Sequence, residues 1–228
     1  MKQKISREQL IRKILLRILI FIFLLFIIIF LPAGSFAFWQ GWVYLAVILI
    51  PFLFAILYFL KRDSAFLERR MQIKERDKTQ SKIQSFGSLY FLLAFILPGL
   101  DFRWGWSSVP VWVVIFANVL VITGYLFVVQ VFKENSFASR IVEVNADQKV
   151  IDTGPYALVR HPMYVGVILM YSATPLALGS WWALIPALLI IPLLVMRILG
   201  EERLLAKELD GYSAYMNMVR WRLIPGIW

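Results

Sequence analysis

Ile14–Leu31 reads ILLRILIFIFLLFIIIFL, an apolar run broken by a single arginine. As a helix rising 1.5 Å per residue it would be about 27 Å long, close to the thickness of a bilayer's hydrocarbon core. A secretory signal peptide has a shorter apolar core, and further apolar runs follow, so the segment is expected to be a retained helix. Phe38–Leu60, with a kink expected at Pro51, is the second such run, Phe86–Leu100 a shorter third and Val109–Phe132 the fourth. Met163–Leu178 and Trp181–Leu199 complete the set as a hairpin about Gly179-Ser180. Runs of this length restrict the chain to one class: an all-α polytopic membrane protein of about six transmembrane helices. The fourth run carries Asn118, Thr123 and Gln130, which are expected to face other helices.

Between these runs lies the charge. The N-terminal stretch Met1–Arg17 holds six Lys and Arg residues, the loop Lys61–Ser85 eight, Lys133–Arg160 four, and the region from Arg197 onward five. That is twenty-three of twenty-four on one side of a six-helix arrangement, with Arg103 alone opposite. The positive-inside rule then places both termini in the cytoplasm and the protein in a membrane, with the cell membrane expected. The net charge of +10 follows this alternation. It is expected to meet anionic lipid headgroups rather than nucleic acid, for which no motif is present. Phe66, Leu67, Met71 and Ile73 in the basic loop are expected to rest on the interface. There is no cysteine and one histidine, which excludes disulfides, thiolate metal sites and cysteine nucleophiles; no metal site is expected. Residues 1–132 form the scaffold and residues 133–228 the region expected to carry the chemistry.

That chemistry centres on Ile151–Gly166, IDTGPYALVRHPMYVG. A Gly-Pro turn, an Arg-His pair and two tyrosines stand at the mouth of a membrane helix, where polar side chains are costly and usually functional. A second polar cluster, Arg197 to Arg203, ends the last span, and Tyr212, Tyr215, Arg220 and Arg222 form a third in the tail. Arg140–Val150 alternates as a small hairpin turning at Asn145-Ala146-Asp147, and Glu201–Val219 reads as an amphipathic helix. Arg197 and Glu201 are four apart and share a helix face. The plain reading is a snorkelling arginine beside a surface carboxylate. The functional reading has the hairpin bring Glu201 and Glu202 back beside His161, since ends of consecutive antiparallel helices meet. Carboxylates, an imidazole, tyrosines and turn amides together suit a zwitterionic, partly aromatic small molecule.

GPYALVRHPMYVG followed by EERLL and GYSAY resembles the isoprenylcysteine carboxyl methyltransferase and phospholipid methyltransferase superfamily of membrane enzymes. LERRM, GLDFRWGWS, ENSFAS, LALGSWWALIPA and VRWRLIPGIW extend the resemblance to its prokaryotic isoprenylcysteine methyltransferase-like branch. The resemblance implies S-adenosylmethionine as cofactor, bound at the membrane–cytosol boundary, and a lipid-like or prenylated small-molecule acceptor, most readily a carboxylate. It also implies that Tyr156, His161, Pro162, Tyr164, Glu201 and Glu202 line the cofactor pocket, with Val159 and Arg160 contributing through backbone and shape. Arg197 would be the catalytic residue, orienting an acceptor carboxylate. Membrane sterol reductases carry a related Arg-His-x-x-Tyr-x-Gly segment and bind NADPH. They often have Asn before the tyrosine, where Met163 stands here, which favours methyl transfer over reduction. A non-catalytic membrane protein that keeps the fold is the third reading.

Overall fold

The computed structural model describes residues 7–70, 78–138, 144 and 148–228. Its long helices are α1 (Arg7–Ala33), α2 (Trp39–Arg62), α4 (Lys78–Trp104), α5 (Val111–Glu134) and α7 (Leu184–Glu208), each long and apolar enough to cross a membrane. Shorter ones are α3 (Ser64–Arg70), α6 (Pro162–Ala177) and α8 (Tyr212–Met218). The expected all-α polytopic architecture is the one observed. With 16 residues, α6 extends only about 24 Å and is the shortest of the six main helices.

Neighbouring helices close a ring in the order α1, α2, α5, α6, α7, α4 and back to α1. The core inside it is built from Leu25, Ile29 and Phe30 of α1, Tyr44 and Ile48 of α2, Phe95 of α4, Val121 of α5 and Ala173 of α6. Large apolar side chains such as Leu19, Phe23, Phe54 and Phe116 point outward and are exposed. A surface of that kind suits lipid, which costs an apolar side chain nothing.

The closest packing joins α5 to α6. A Cβ added at Gly124 would lie 2.8 Å from the Gly166 carbonyl oxygen, and one at Gly166 would lie 2.8 Å from that of Gly124. Two facing glycines therefore let the backbones touch, as small residues do between membrane helices. Asn118 adds a polar tie, with Nδ2 donating to the Val114 carbonyl at 2.9 Å and to Ala177 of α6 at 3.3 Å. Thr123 and Gln130 depart from expectation, since both are exposed. Thr123 Oγ1 donates to the Val119 carbonyl of its own helix at 2.7 Å, which satisfies the hydroxyl without a neighbour.

The third span is longer than its apolar run, because α4 begins at Lys78 within the expected loop. Gln80 and Ile83 of this polar extension are buried. Gly200 of α7 makes the room: a Cβ there would lie 1.8 Å from Gln80 Nε2. Phe66 also differs from expectation, turning inward between Phe59 and Phe132, 4.5 and 5.2 Å away by ring centroid. The C-terminal amphipathic helix divides in two: Glu201–Glu208 are the last turns of α7, and α8 follows after Gly211. Gly211 takes φ +82°, a conformation that only glycine adopts at little cost. The hairpin about Gly179-Ser180 forms as expected, with Gly179 at φ +77°. Lys2, Lys4, Met71, Ile73 and the turn Asn145–Asp147 lie outside the described residues.

At the end of the bundle that carries Arg103, Asp101 is fully buried. Its carboxylate accepts from the Ser107 amide at 2.7 Å and from the Ser107 and Ser180 hydroxyls, each at 2.5 Å. One carboxylate thereby ties the loop after α4 to the turn between α6 and α7.

Candidate active site

At the opposite end, the chain between α5 and α6 builds a cavity wall in a few steps. Gly154 takes φ +55°, which other residues rarely adopt, and a Cβ there would lie 2.9 Å from Glu134 Cδ. Thr153 Oγ1 donates to Glu134 on the same spot. A single 3₁₀ turn, Gly154–Ala157, then presents Tyr156. Its hydroxyl accepts from Asn135 Nδ2 at 3.0 Å. Burial raises the Tyr156 pKa to about 12, against the hydrogen bond from Asn135, which lowers it. The phenol is therefore neutral at any physiological pH.

Arg160 and His161 follow, their amides donating to the carbonyls of Trp221 and Arg222, each at 2.9 Å. Pro162 then opens α6 at a position where the missing N–H has no helical partner to lose. The C-terminal tail is thus paired, backbone to backbone, with the Arg-His segment.

Glu201 and Glu202 are successive residues of α7, and a helix turns about 100° per residue. They point in different directions and do different things. Glu202 is 4% exposed and forms a hub of opposite charge. Its Oε1 accepts from Arg160 Nε at 2.7 Å and from His161 Nε2 at 3.2 Å, and its Oε2 accepts from Arg222 Nε at 2.8 Å. An ionised carboxylate only accepts, so His161 Nε2 must carry the hydrogen, which leaves Nδ1 as the acceptor of the neutral ring. Arg160 also donates through Nη1 to the Val219 and Arg220 carbonyls at 2.7 and 2.8 Å. A buried pair with this many satisfied bonds holds its geometry tightly.

Glu201 faces the cavity. Its Oε2 accepts from the buried Tyr164 hydroxyl at 2.8 Å, and Arg197 Nε donates to the same hydroxyl at 3.2 Å. Arg197, Tyr164 and Glu201 therefore form one hydrogen-bonded row across α7 and α6.

The cavity is open at its mouth, and its empty space with that open mouth included is about 790 Å³. Of the expected residues, Tyr156, Arg160, His161, Tyr164 and Glu201 line it. Val159 and Pro162 are buried behind it, and Glu202 supports it through Arg160 and His161. Arg160 acts by its guanidinium and not only by backbone and shape. Arg197 lines a different space, an open groove between α4, α6 and α7 walled by Ile83, Phe91, Ile190 and Leu194. Tyr164 joins the two spaces, with Glu201 on one side and Arg197 on the other.

Several wall and support residues lay outside the expected set. Tyr212 and Tyr215 line the cavity together with Asn135 and Phe137, and Arg222 completes the Glu202 hub. Two tyrosines three apart after a glycine, in GYSAY, were the available signal for the first two. Arg222 stood out only as a member of the tail's polar cluster, because its partner depends on where the tail folds.

Residues 112–210 match the model of the phospholipid methyltransferase family, a family of the superfamily that the motifs at 154–166 and 201–205 resemble. The match runs from α5 to the turn before α8 and so contains the Arg-His segment and both glutamates. It supports a methyltransferase. No curated protein matches the chain.

Proposed function

Because residues 112–210 match the model of the phospholipid methyltransferase family, we propose that the protein transfers a methyl group from S-adenosylmethionine to an amphiphilic acceptor at the membrane–cytosol boundary. The acceptor we favour is a carboxylate on an isoprenylcysteine-like molecule. The observation that carries this reading is the row from Arg197 through Tyr164 to Glu201. It links an apolar groove, open between helices, to a polar cavity at the end of the bundle.

The residues of the cavity fit such a cofactor. Glu201 offers carboxylate oxygen to an ammonium or a hydroxyl, and His161 offers Nδ1 as an acceptor. The rings of Tyr156, Tyr164 and Tyr215 supply flat apolar surface for a purine. When bound, S-adenosylmethionine supplies an electrophilic methyl group on a sulfonium. The groove would take the acceptor's lipid chain along Ile83, Phe91, Ile190 and Leu194, and Arg197 would hold its carboxylate by charge-assisted hydrogen bonds. A carboxylate, with an ordinary pKa near 4, is already ionised at pH 7, so no general base is required. The protein's part is then alignment and exclusion of water, with Tyr164 fixing the Arg197 guanidinium relative to the cavity. The reductase and non-catalytic readings draw no support from the family match.

The test is binding and transfer. Detergent-purified protein should bind S-adenosylmethionine in preference to NADPH. Membranes given methyl-labelled cofactor should acquire label that mild base releases, as an ester would. Preference for NADPH would overturn the methyltransferase reading, and base-stable label would overturn the carboxylate acceptor while leaving methyl transfer in place.

A further inference from the structure

Tyr212 and Tyr215 stand three apart on α8, with ring centroids 5.7 Å apart, and both are buried. Their hydroxyls are in opposite situations. Tyr215 donates to the Tyr156 carbonyl at 2.7 Å, so its hydrogen bond is made within the chain. The Tyr212 hydroxyl is sealed from bulk water and has no hydrogen-bond partner among the described residues. An orphaned buried hydroxyl is a cost that native structures rarely carry without a reason. Tyr212 is also part of the cavity wall. Burial first, then Glu202 and Glu201, push its pKa upward, which places the neutral phenol in the field of the two carboxylates.

Those neighbours limit what can satisfy it. An anionic group would be repelled by Glu201 and Glu202. An ammonium has no acceptor for the phenolic hydrogen. A hydroxyl can donate to the Glu201 carboxylate and accept from Tyr212 at once, so it completes both. We propose that Tyr212 is a further cofactor-binding residue, whose hydroxyl donates to a ribose hydroxyl of the adenosyl cofactor bound in this cavity. This rests on the methyltransferase reading given above. The residue lies two positions beyond the family match, which ends at 210.

Removing the hydroxyl should then have opposite effects on the empty and loaded protein. The Phe ring keeps its place in the apolar cluster with Leu209, Tyr215 and Val219. Tyr212→Phe should leave the thermal stability of the unliganded, detergent-purified protein unchanged or slightly raised, because the orphan is gone. Its affinity for S-adenosylhomocysteine should fall about three- to tenfold, the size of one net hydrogen bond. Affinity for the 2′,3′-dideoxyribose analogue should be the same in wild type and variant. Tyr215→Phe is the contrast: it should lower the stability of the unliganded protein, because it removes a bond already made.

Three results would overturn the assignment. One is equal affinity of wild type and Tyr212→Phe for S-adenosylhomocysteine, and another is an equal fall for the parent ligand and its dideoxy analogue. The third is a Tyr212→Phe protein that is destabilised or does not fold, since the hydroxyl would then have a partner within the chain. Failure of the wild type to bind either ligand would instead overturn the methyltransferase reading on which the assignment rests.

Discussion

Each end of the helical ring holds a fully or nearly buried carboxylate, and the two are satisfied in different ways. Asp101 takes two serine hydroxyls and one amide, all neutral donors from turns at its own end. Glu202, on α7, takes two guanidiniums and an imidazole, drawn from residues 160–161 and from the tail. Neutral donors are sufficient to staple a turn. Charged donors around one anion fix orientation as well as position, because each guanidinium is itself held by carbonyls or ring contacts. Arg222, for example, packs over the Trp228 ring at 5.2 Å. Asp101 ties two turns together, while the Glu202 hub has a cavity beside it. A buried carboxylate by itself is therefore no marker of an active site; the kind of donor around it separates the two.

Labelling is the sharpest way to set the two ends apart in the membrane, since its expected outcome is all or nothing. The chain has no cysteine, so single cysteines report cleanly. Ser108 and Ser81 are both exposed; Ser107 is engaged by Asp101 and is the poorer probe. If the Glu202 end is cytoplasmic, as the charge distribution predicts, an impermeant thiol reagent should label Ser108→Cys in intact cells and spare Ser81→Cys. The reverse pattern would invert the orientation.

Next in size is Glu202→Ala. It leaves Arg160, 6% exposed, without its counter-ion, which for a buried pair costs about 3–5 kcal/mol. The variant should melt well below wild type and lose cofactor affinity, because His161 is no longer held. Unchanged melting would mean that the hub does not support this end of the bundle.

Arg197→Lys tests the row that joins groove to cavity. Lysine keeps the charge but not the planar fork. A lost charge-assisted contact of about 1.5–3 kcal/mol corresponds to a turnover loss of roughly ten- to over a hundredfold if it acts in the transition state. Cofactor affinity should stay close to normal, since Arg197 lines the groove and not the cavity. Wild-type turnover would return Arg197 to snorkelling, and a matching fall in affinity would move it into the cofactor site.

The smallest effect is expected from Asp101→Asn. The amide keeps one acceptor oxygen for three donors, so stability should fall by about 1–2 kcal/mol with no change in cofactor affinity. An affinity loss would break the comparison, because it would couple the two ends of the bundle.

How much of this was legible beforehand differs from residue to residue. Apolar runs are long, contiguous and self-sufficient in backbone hydrogen bonding, so the spanning helices and the Gly179-Ser180 hairpin could be read directly. The polar start of α4 could not: Lys78–Ser85 is helical because Gln80 fits over Gly200 of α7, a contact between residues far apart in sequence. The same holds inside the site. Gly154, Tyr156, His161 and Tyr164 stand in one short segment with recognisable turn and aromatic chemistry, and the segment was legible as a unit. The division of labour between Glu201 and Glu202 was not. Adjacent in sequence, they face about 100° apart on the helix, and only the packing of α7 against α6 and the tail decides which meets Tyr164 and which meets Arg160.

The sequence by itself determined the class of protein, the end of the bundle where polar groups gather, and the residue types available there. These follow from composition and local spacing, which act over a few residues and need no partner. The tertiary structure alone decided that Arg222 completes a buried hub, that Arg197 belongs to the groove, and that the Tyr212 hydroxyl has no partner among the described residues while that of Tyr215 does. Each of those depends on which distant segment arrives beside it. Burial and hydrogen-bond satisfaction are properties of that meeting, not of the residues taken singly.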